Sequence, residues 1–204
     1  MKSNHIKAVV FDMGGVYVQT KDKNPRTRLA QRLGLTYEEL SEIVFHSETA
    51  YQATVGANDE QVHWDFLAQH FGLSSDEMQT FWDEFWGGDY LDQELLAYSK
   101  ILKETYPLGL LSNAWSGARD LLTRKFGFLD IFDVSVFSAE VRMAKPDPQF
   151  YQWMLDALQV DAGETIFVDD FIENILAAQA LGFKTVHFMQ TSQAIQKITA
   201  ILGT

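Results

Sequence analysis

The chain predicts an α/β fold, a parallel sheet between two layers of helices with a helical block inserted after the first strand. Three features carry that expectation. Short apolar runs recur at Ile6–Phe11, Pro107–Leu111, Val134–Phe137, Thr165–Val168 and Thr185–Phe188, and strands apolar on both faces belong in a sheet covered on both sides. From Tyr106 onward these runs alternate with helical patterns, as in a doubly wound sheet. Between Tyr17 and Leu91 the periodicity is helical and no convincing strand is evident.

The helical boundaries are marked by capping chemistry. Thr36-Tyr37-Glu38-Glu39 and Ser74-Ser75-Asp76-Glu77 are capping boxes, each preceded by a Gly-Leu pair suited to ending the previous helix. We read this recurrence as one connector used twice, not as an internal repeat. The second box introduces Met78, Phe81, Trp82 and Phe85 at helical spacing, an aromatic stripe assigned to helix packing. Gly87-Gly88 breaks that helix. Asp147-Pro148 combines an N-cap with proline at the first helical position, ahead of Tyr151, Met154, Leu155 and Leu158. Ile172, Ile175 and Leu176 form an apolar face that stops at Gly182. The expected organisation is a core domain of residues 1–16 and 92–204 with a helical cap domain of residues 17–91. Its hinges are expected near Tyr17–Asn24 and Gly87–Asp92.

Composition narrows the partners. The 204 residues carry a formal charge of −12, so no basic stripe exists to track a nucleic-acid backbone. A small anionic ligand must then be held by a local positive group or a metal. The chain has no cysteine, which excludes disulfides and thiolate zinc sites. Its five histidines are scattered, without zinc or Ser-His-Asp spacing. There is no Gly-x-Gly-x-x-Gly or Walker-type loop for a dinucleotide or nucleoside triphosphate. No apolar span approaches membrane length, and a soluble cytoplasmic protein is the expectation.

Ligands of open α/β sheets bind beyond the carboxyl ends of the strands. Asp12 follows the first apolar run, Ser112 and Asn113 the second, and Asp169 and Asp170 the fourth. Lys145, in Ala-Lys-Pro-Asp-Pro, lies one helical connection past the third. Three carboxylates gathered at one edge repel one another and call for a cation. An oxygen-only donor set favours a hard ion, and Mg²⁺ is the natural occupant. A carboxylate can attack phosphorus and split one hard step into two. Lys145 and the metal would neutralise the transferring group, while the Ser112 hydroxyl and nearby N–H groups hold its oxygens. Gly14 and Gly15 allow the tight turn that brings backbone to that centre.

The set resembles the haloacid dehalogenase superfamily, in its phosphatase-like branch with a helical cap after the first strand. Four motifs appear in order: Phe11-Asp12-Met13-Gly14-Gly15-Val16, Leu111-Ser112-Asn113, Lys145-Pro146, and Val168-Asp169-Asp170 followed by Asn174. The resemblance implies a Rossmann-like three-layer core and a phosphatase-type hydrolase acting on a small phosphorylated metabolite. Asp12 is implied as nucleophile and metal ligand, with the Gly14 carbonyl as a second ligand. Asp170 is implied as the direct metal ligand and Asp169 as acting directly or through water. Ser112, Asn113 and Lys145 are implied on the phosphoryl oxygens. Asn174 either orients the fourth-motif loop or is plain helix surface.

One departure stands out. Where the phosphatase motif places a second Asp, as general acid and base, this chain has Gly14. General acid catalysis contributes ~10²–10⁴-fold, so poor leaving groups should turn over slowly. Members sharing the Gly are similar to sugar-phosphate phosphatases, which points to good leaving groups such as anomeric phosphates. A metal-independent 2-haloacid dehalogenase also lacks that Asp, but typically replaces the acidic pair that stands here as Asp169-Asp170. A non-catalytic module that keeps fold and metal is the remaining alternative, separable by turnover. Trp115 and Arg119 either line the pocket or belong to a surface helix. Tyr51, Gln52 and Thr54, before Gly56, are expected in a loop facing the site.

Overall fold

The computed structural model describes residues 5–203. Strand β1 (Ala8–Phe11) is followed by β2 (Val18–Thr20) and five helices: α1 (Asn24–Arg32), α2 (Tyr37–His46), α3 (Glu48–Thr54), α4 (Glu60–Phe71) and α5 (Ser75–Phe85). Strand β3 (Asp89–Leu91) leads out of this block. The chain continues through α6 (Gln93–Lys103), β4 (Leu108–Ser112), α7 (Ala118–Lys125), β5 (Val134–Phe137), α8 (Ser138–Val141) and α9 (Pro148–Leu158). It ends with β6 (Thr165–Asp169), α10 (Ile172–Leu181), β7 (Lys184–His187) and α11 (Thr191–Leu202).

Five strands form one parallel sheet in the order β5-β4-β1-β6-β7. β1, β4 and β6 are buried along their whole length, which is why each reads as a continuous apolar run. Alternate side chains feed two cores. Val9, Phe11, Leu108 and Val168 pack with Leu95 of α6, Leu122 of α7 and Ile198 of α11. Val10, Leu111 and Phe167 pack with Phe150 and Met154 of α9 and Ile175 of α10 on the opposite face. This is the three-layer arrangement expected from the sequence. Winding reverses at β1: β4 and β5 lie to one side, β6 and β7 to the other. Open α/β sheets bind ligands in a crevice at such a reversal, which here lies at the carboxyl ends of β1, β4 and β6.

The capping signals form as read. Thr36 and Ser74 each accept from the N–H three residues on, and Glu39 and Glu77 each reach back to the cap N–H. Asp147 accepts from the Gln149 N–H at 2.9 Å, and Gly182 ends α10 in the left-handed region. Met78, Phe81 and Phe85 are buried in a third core with Leu29, Leu40, Val44 and Leu67, separate from the two that flank the sheet. Arg26 is buried there as well. Its Nε donates to the Phe85 carbonyl at 3.0 Å, and its guanidinium lies 4.0 Å above the Phe85 ring. Its head stays compensated by Asp89, 3.6 Å away.

Three expectations are corrected. The segment from Tyr17 to Leu91 does contain strands: β2 and β3 pair antiparallel, Val18 opposite Leu91 and Thr20 opposite Asp89, across both connections to the helical block. Three-residue strands are too short to show an alternating pattern, and their pairing is visible only when the ends of the block meet. Tyr51, Gln52 and Thr54 are not in a loop but in α3, which Ser47 caps through the Ala50 N–H. On α10 only Ile175 of the three apolar residues is buried; Ile172 and Leu176 are 44% and 56% exposed. Among the described residues no helix is long and apolar enough to cross a membrane.

Candidate active site

Each chemical group reaches the crevice from a strand end or the connection after it. Asp12 follows β1 directly, its N–H held by the Val168 carbonyl at 2.8 Å. The chain then turns so that the Gly15 N–H donates to the Val18 carbonyl at 2.9 Å. Gly15 has φ +73°, and a Cβ there would lie 2.1 Å from Asp170 Oδ2. That position needs glycine on both counts. Gly14 does not, since a Cβ added to it meets nothing within 4 Å. The turn therefore rests on one glycine of the pair.

Lys145 is the centre of the buried charges. Its Nζ lies 2.7 Å from Asp12 Oδ1 and 2.7 Å from Asp169 Oδ2. Burial alone would lower the Lys145 pKa, but Asp12 and Asp169 outweigh it and hold the ammonium charged. Asp169 is saturated. Oδ1 accepts from the Phe171 N–H at 2.8 Å, and the Asn174 amide lies 3.1 Å from both carboxylate oxygens. Asn174 is thus a buried brace on the acidic loop and not helix surface. Asp170 is the opposite case: its Oδ1 is buried with no hydrogen-bond partner among the described residues. Ser112 Oγ, at the end of β4, is buried and partnerless in the same way. A lone buried acceptor or hydroxyl costs stability unless a ligand completes it.

The carboxylates crowd one another. Burial pushes the Asp12 carboxyl up to about 7 against the pull of Lys145, and the Asp169 charge adds to the rise. Burial followed by the Asp169 charge raises Asp170 to about 6. One oxygen from each of Asp12, Asp169 and Asp170 lies within 4.8 Å of the others. An oxygen-only cluster of three carboxylates with an unsatisfied oxygen suits Mg²⁺, which takes carboxylates and keeps waters for its remaining positions. Asp12 and Asp170 have the free capacity to hold it, whereas Asp169 is committed to Lys145, Asn174 and backbone.

Asn113 sits where the sequence places it, but its amide is occupied. Oδ1 accepts from the Lys145 N–H at 2.8 Å and Nδ2 donates to the Lys145 carbonyl at 2.8 Å. It clamps the backbone that carries the lysine. Arg119 pairs with Glu140, Nε to Oε1 at 2.7 Å, and donates to the Ser135 carbonyl, with no bond to Asp12, Asp169 or Asp170 among the described residues. Trp115 turns into the helical block, where its indole N–H donates to Thr54 Oγ1 at 3.2 Å. Tyr51 is exposed and Gln52 bonds Glu48 on its own helix. Sequence reasoning passed over Ser138, a fully buried hydroxyl bonded to both Thr54 and Ala114. A serine at the junction of β5 and α8 carries no sequence signal beyond an ordinary helix start.

The model of haloacid dehalogenase-like hydrolases matches residues 6–182. The chain belongs to that family. As a family member it is 29% identical to the sesquiterpene phosphatase astK of Aspergillus oryzae, over 97% of each chain. It is 26% identical to the D-ribitol-5-phosphate phosphatase of Bacteroides thetaiotaomicron, over 97% of this chain and 99% of that one. An HAD-like hydrolase from Porphyromonas gingivalis shares the fold with a TM-score of 0.78, at 24% identity over 97% of this chain and 98% of its own. An HAD family enzyme of B. thetaiotaomicron, solved as its magnesium complex, superposes with a TM-score of 0.73 at 25% identity, over 89% and 92% of the two chains. The protein is thus an HAD-like hydrolase, with an acidic cluster fit for magnesium, the ion held in the complex of the B. thetaiotaomicron enzyme.

Proposed function

We propose that this hydrolase removes phosphate from a small phosphorylated metabolite, with Asp12 as the nucleophile and the helical block as a cap over the site. One observation carries the reading. The buried Asp12–Lys145 pair stands at the same sheet edge as two buried oxygens, Ser112 Oγ and Asp170 Oδ1, that have no partner among the described residues. A phosphoryl group and its cation would satisfy both.

In this mechanism Asp12 attacks phosphorus, the bond to the leaving oxygen breaks with that oxygen taking its proton from solvent, and the phosphoryl group passes to the carboxylate. Water then hydrolyses the acyl phosphate, releasing inorganic phosphate and restoring the Asp12 carboxylate. Lys145 stays protonated and faces the negative charge of the transferring group, while Ser112 donates to one of its oxygens. Asn113 acts by fixing the Lys145 backbone, and Asn174 by holding Asp169 away from competition for the phosphoryl group. Bound Mg²⁺, held by Asp12 and Asp170 with the Gly14 carbonyl, would supply further neutralisation of that charge. No second carboxyl stands two residues after Asp12 to protonate the leaving oxygen, because position 14 is glycine. Anomeric phosphates should therefore exceed primary alkyl phosphates in kcat/KM, by about 10²-fold if protonation is the missing contribution. A panel of phosphate esters with Mg²⁺ tests this. No phosphate release from any member would refute the reading, and equal rates would refute the leaving-group argument.

Metal binding has a readout of its own. Asp12 and Asp170 have folded pKa values raised above the ordinary 3.8. Their ionisation thus costs the metal-free protein stability, a penalty absent below about pH 4 and complete above about pH 7. A cation relieves that penalty at pH 8, whereas at pH 5 it must first displace protons. At a hundredfold excess over Kd, Mg²⁺ should raise Tm by about 5–10 °C at pH 8. The shift should shrink markedly at pH 5 and vanish in Asp170→Asn. A shift of equal size at both pH values, or in the variant, would show that the ion binds elsewhere.

A further inference from the structure

The loop between β4 and α7 faces two ways. Toward the site, it begins at Ser112, and Asn113 clamps both backbone groups of Lys145 at 2.8 Å. Toward the helical block, Ala114, Trp115 and Gly117 each engage a polar group, Ala114 through Ser138. The Ala114 N–H donates to Ser138 Oγ at 2.9 Å, and that hydroxyl donates to the Thr54 carbonyl at 2.6 Å. The Trp115 indole bonds the Thr54 hydroxyl, and its ring meets His63 edge-on at 4.9 Å within the block's own core. The Gly117 N–H donates to Glu60 Oε2 at 2.9 Å. At Gly56 the backbones approach so closely that a Cβ would stand 2.3 Å from the Ala139 carbonyl oxygen.

We propose that Trp115 and Ser138 are positioning residues that couple the seating of α3 to the phosphate-binding loop. Ser112 and the Lys145 backbone then hold their arrangement only while Thr54 is docked. The coupling runs through contiguous hydrogen bonds of one five-residue loop, with the block at one end and the lysine at the other. Trp115 serves as the peg: its side chain is packed into the helical block while its backbone belongs to the loop that directly follows Ser112. Ser138 serves as the bridge, since one hydroxyl touches both Ala114 and Thr54. This inference rests on the phosphatase reading for its consequence, but the mechanical link stands on the contacts alone.

Three variants outside the catalytic machinery test it. Thr54→Val removes the indole acceptor at nearly constant size, Ser138→Ala removes the bridge, and Thr54→Ser retains the hydroxyl. Amide hydrogen exchange of the metal-free protein should quicken about fivefold across Ser112–Gly117 and at Lys145 in the first two variants, the effect of one lost hydrogen bond on opening. Thr54→Ser should exchange like the parent. Binding of inorganic phosphate in the presence of Mg²⁺ should weaken by a similar factor, while Mg²⁺ affinity stays at the parent value. Exchange that quickens in α3 alone, with phosphate binding unchanged, would reduce Trp115 and Ser138 to local packing and overturn the proposal. A parent protein that binds no phosphate would instead sink the phosphatase reading, and the exchange result would still decide the coupling.

Discussion

Asp12→Asn is expected to abolish phosphate release, lowering kcat by at least about 10⁴-fold, while the protein remains folded. The size follows from the role: removing a nucleophile that acts together with a positioned partner costs as much as removing the whole set. Asparagine keeps the shape and can still face Lys145, but its amide cannot form the acyl phosphate. Folding should survive because Lys145 retains Asp169 at 2.7 Å, so the ammonium is not left alone in the interior. The substitution also deletes a carboxyl that burial pushes up to about 7. Between pH 4 and 7 the metal-free parent should lose stability as Asp12 ionises, and the variant should lose less over the same interval. The two readouts together separate a catalytic role from a structural one. Residual turnover of a tenth or more would place the nucleophile elsewhere; lost turnover with a collapsed melting transition would mean that Asp12 mainly holds the fold.

Much of this site was legible because its chemistry is local to strand ends. Asp12, Ser112 and Asp169 each terminate an apolar run, and a strand buried on both faces leaves its polar residues only at the edge where ligands bind. The capping boxes at Thr36 and Ser74 were equally legible, since their bonds close within three residues. What sequence could not show is how competition among polar groups resolves. Asp169 and Asp170 are adjacent and chemically identical. One is saturated by Lys145, Asn174 and the Phe171 N–H, and the other keeps a free oxygen. That distinction depends on a lysine 24 residues away and on the first turn of α10 bending back over the strand end. The Asn113 side chain also finds its partner far away in sequence, on both backbone groups of Lys145. Trp115 shows the limit most clearly. Its sequence position allows either pocket lining or a surface helix, yet the ring packs against the core of the helical block and its N–H bonds Thr54. The ribbon of β2 and β3 was missed for a related reason: its strands exist only because Val18 and Leu91 are brought together by the block between them.

Restoring the absent acid is the second large effect to expect. Gly14→Asp should raise kcat/KM for primary alkyl phosphates by at least about tenfold and up to ~10²-fold, with a smaller gain for anomeric phosphates. Steric grounds favour it, since a Cβ at position 14 meets nothing within 4 Å. The neighbouring position gives the contrast. Gly15→Ala would drive a Cβ to 2.1 Å from Asp170 Oδ2 at a φ of +73°, and should cost both stability and metal binding. Electrostatics favours the new carboxyl as an acid, because three carboxylates already nearby would raise its pKa and keep it protonated nearer neutrality. Asp12 and Asp170, pushed up to about 7 and 6 by burial and by one another's neighbours, show how strongly that environment acts. Gly14→Asn supplies the control: similar size, no transferable proton. If Asp and Asn variants hydrolyse alkyl phosphates equally, protonation of the leaving oxygen is not what limits this enzyme. If only the Asp variant gains, the narrow range expected of the parent follows from a single missing carboxyl, and the rest of the machinery is complete.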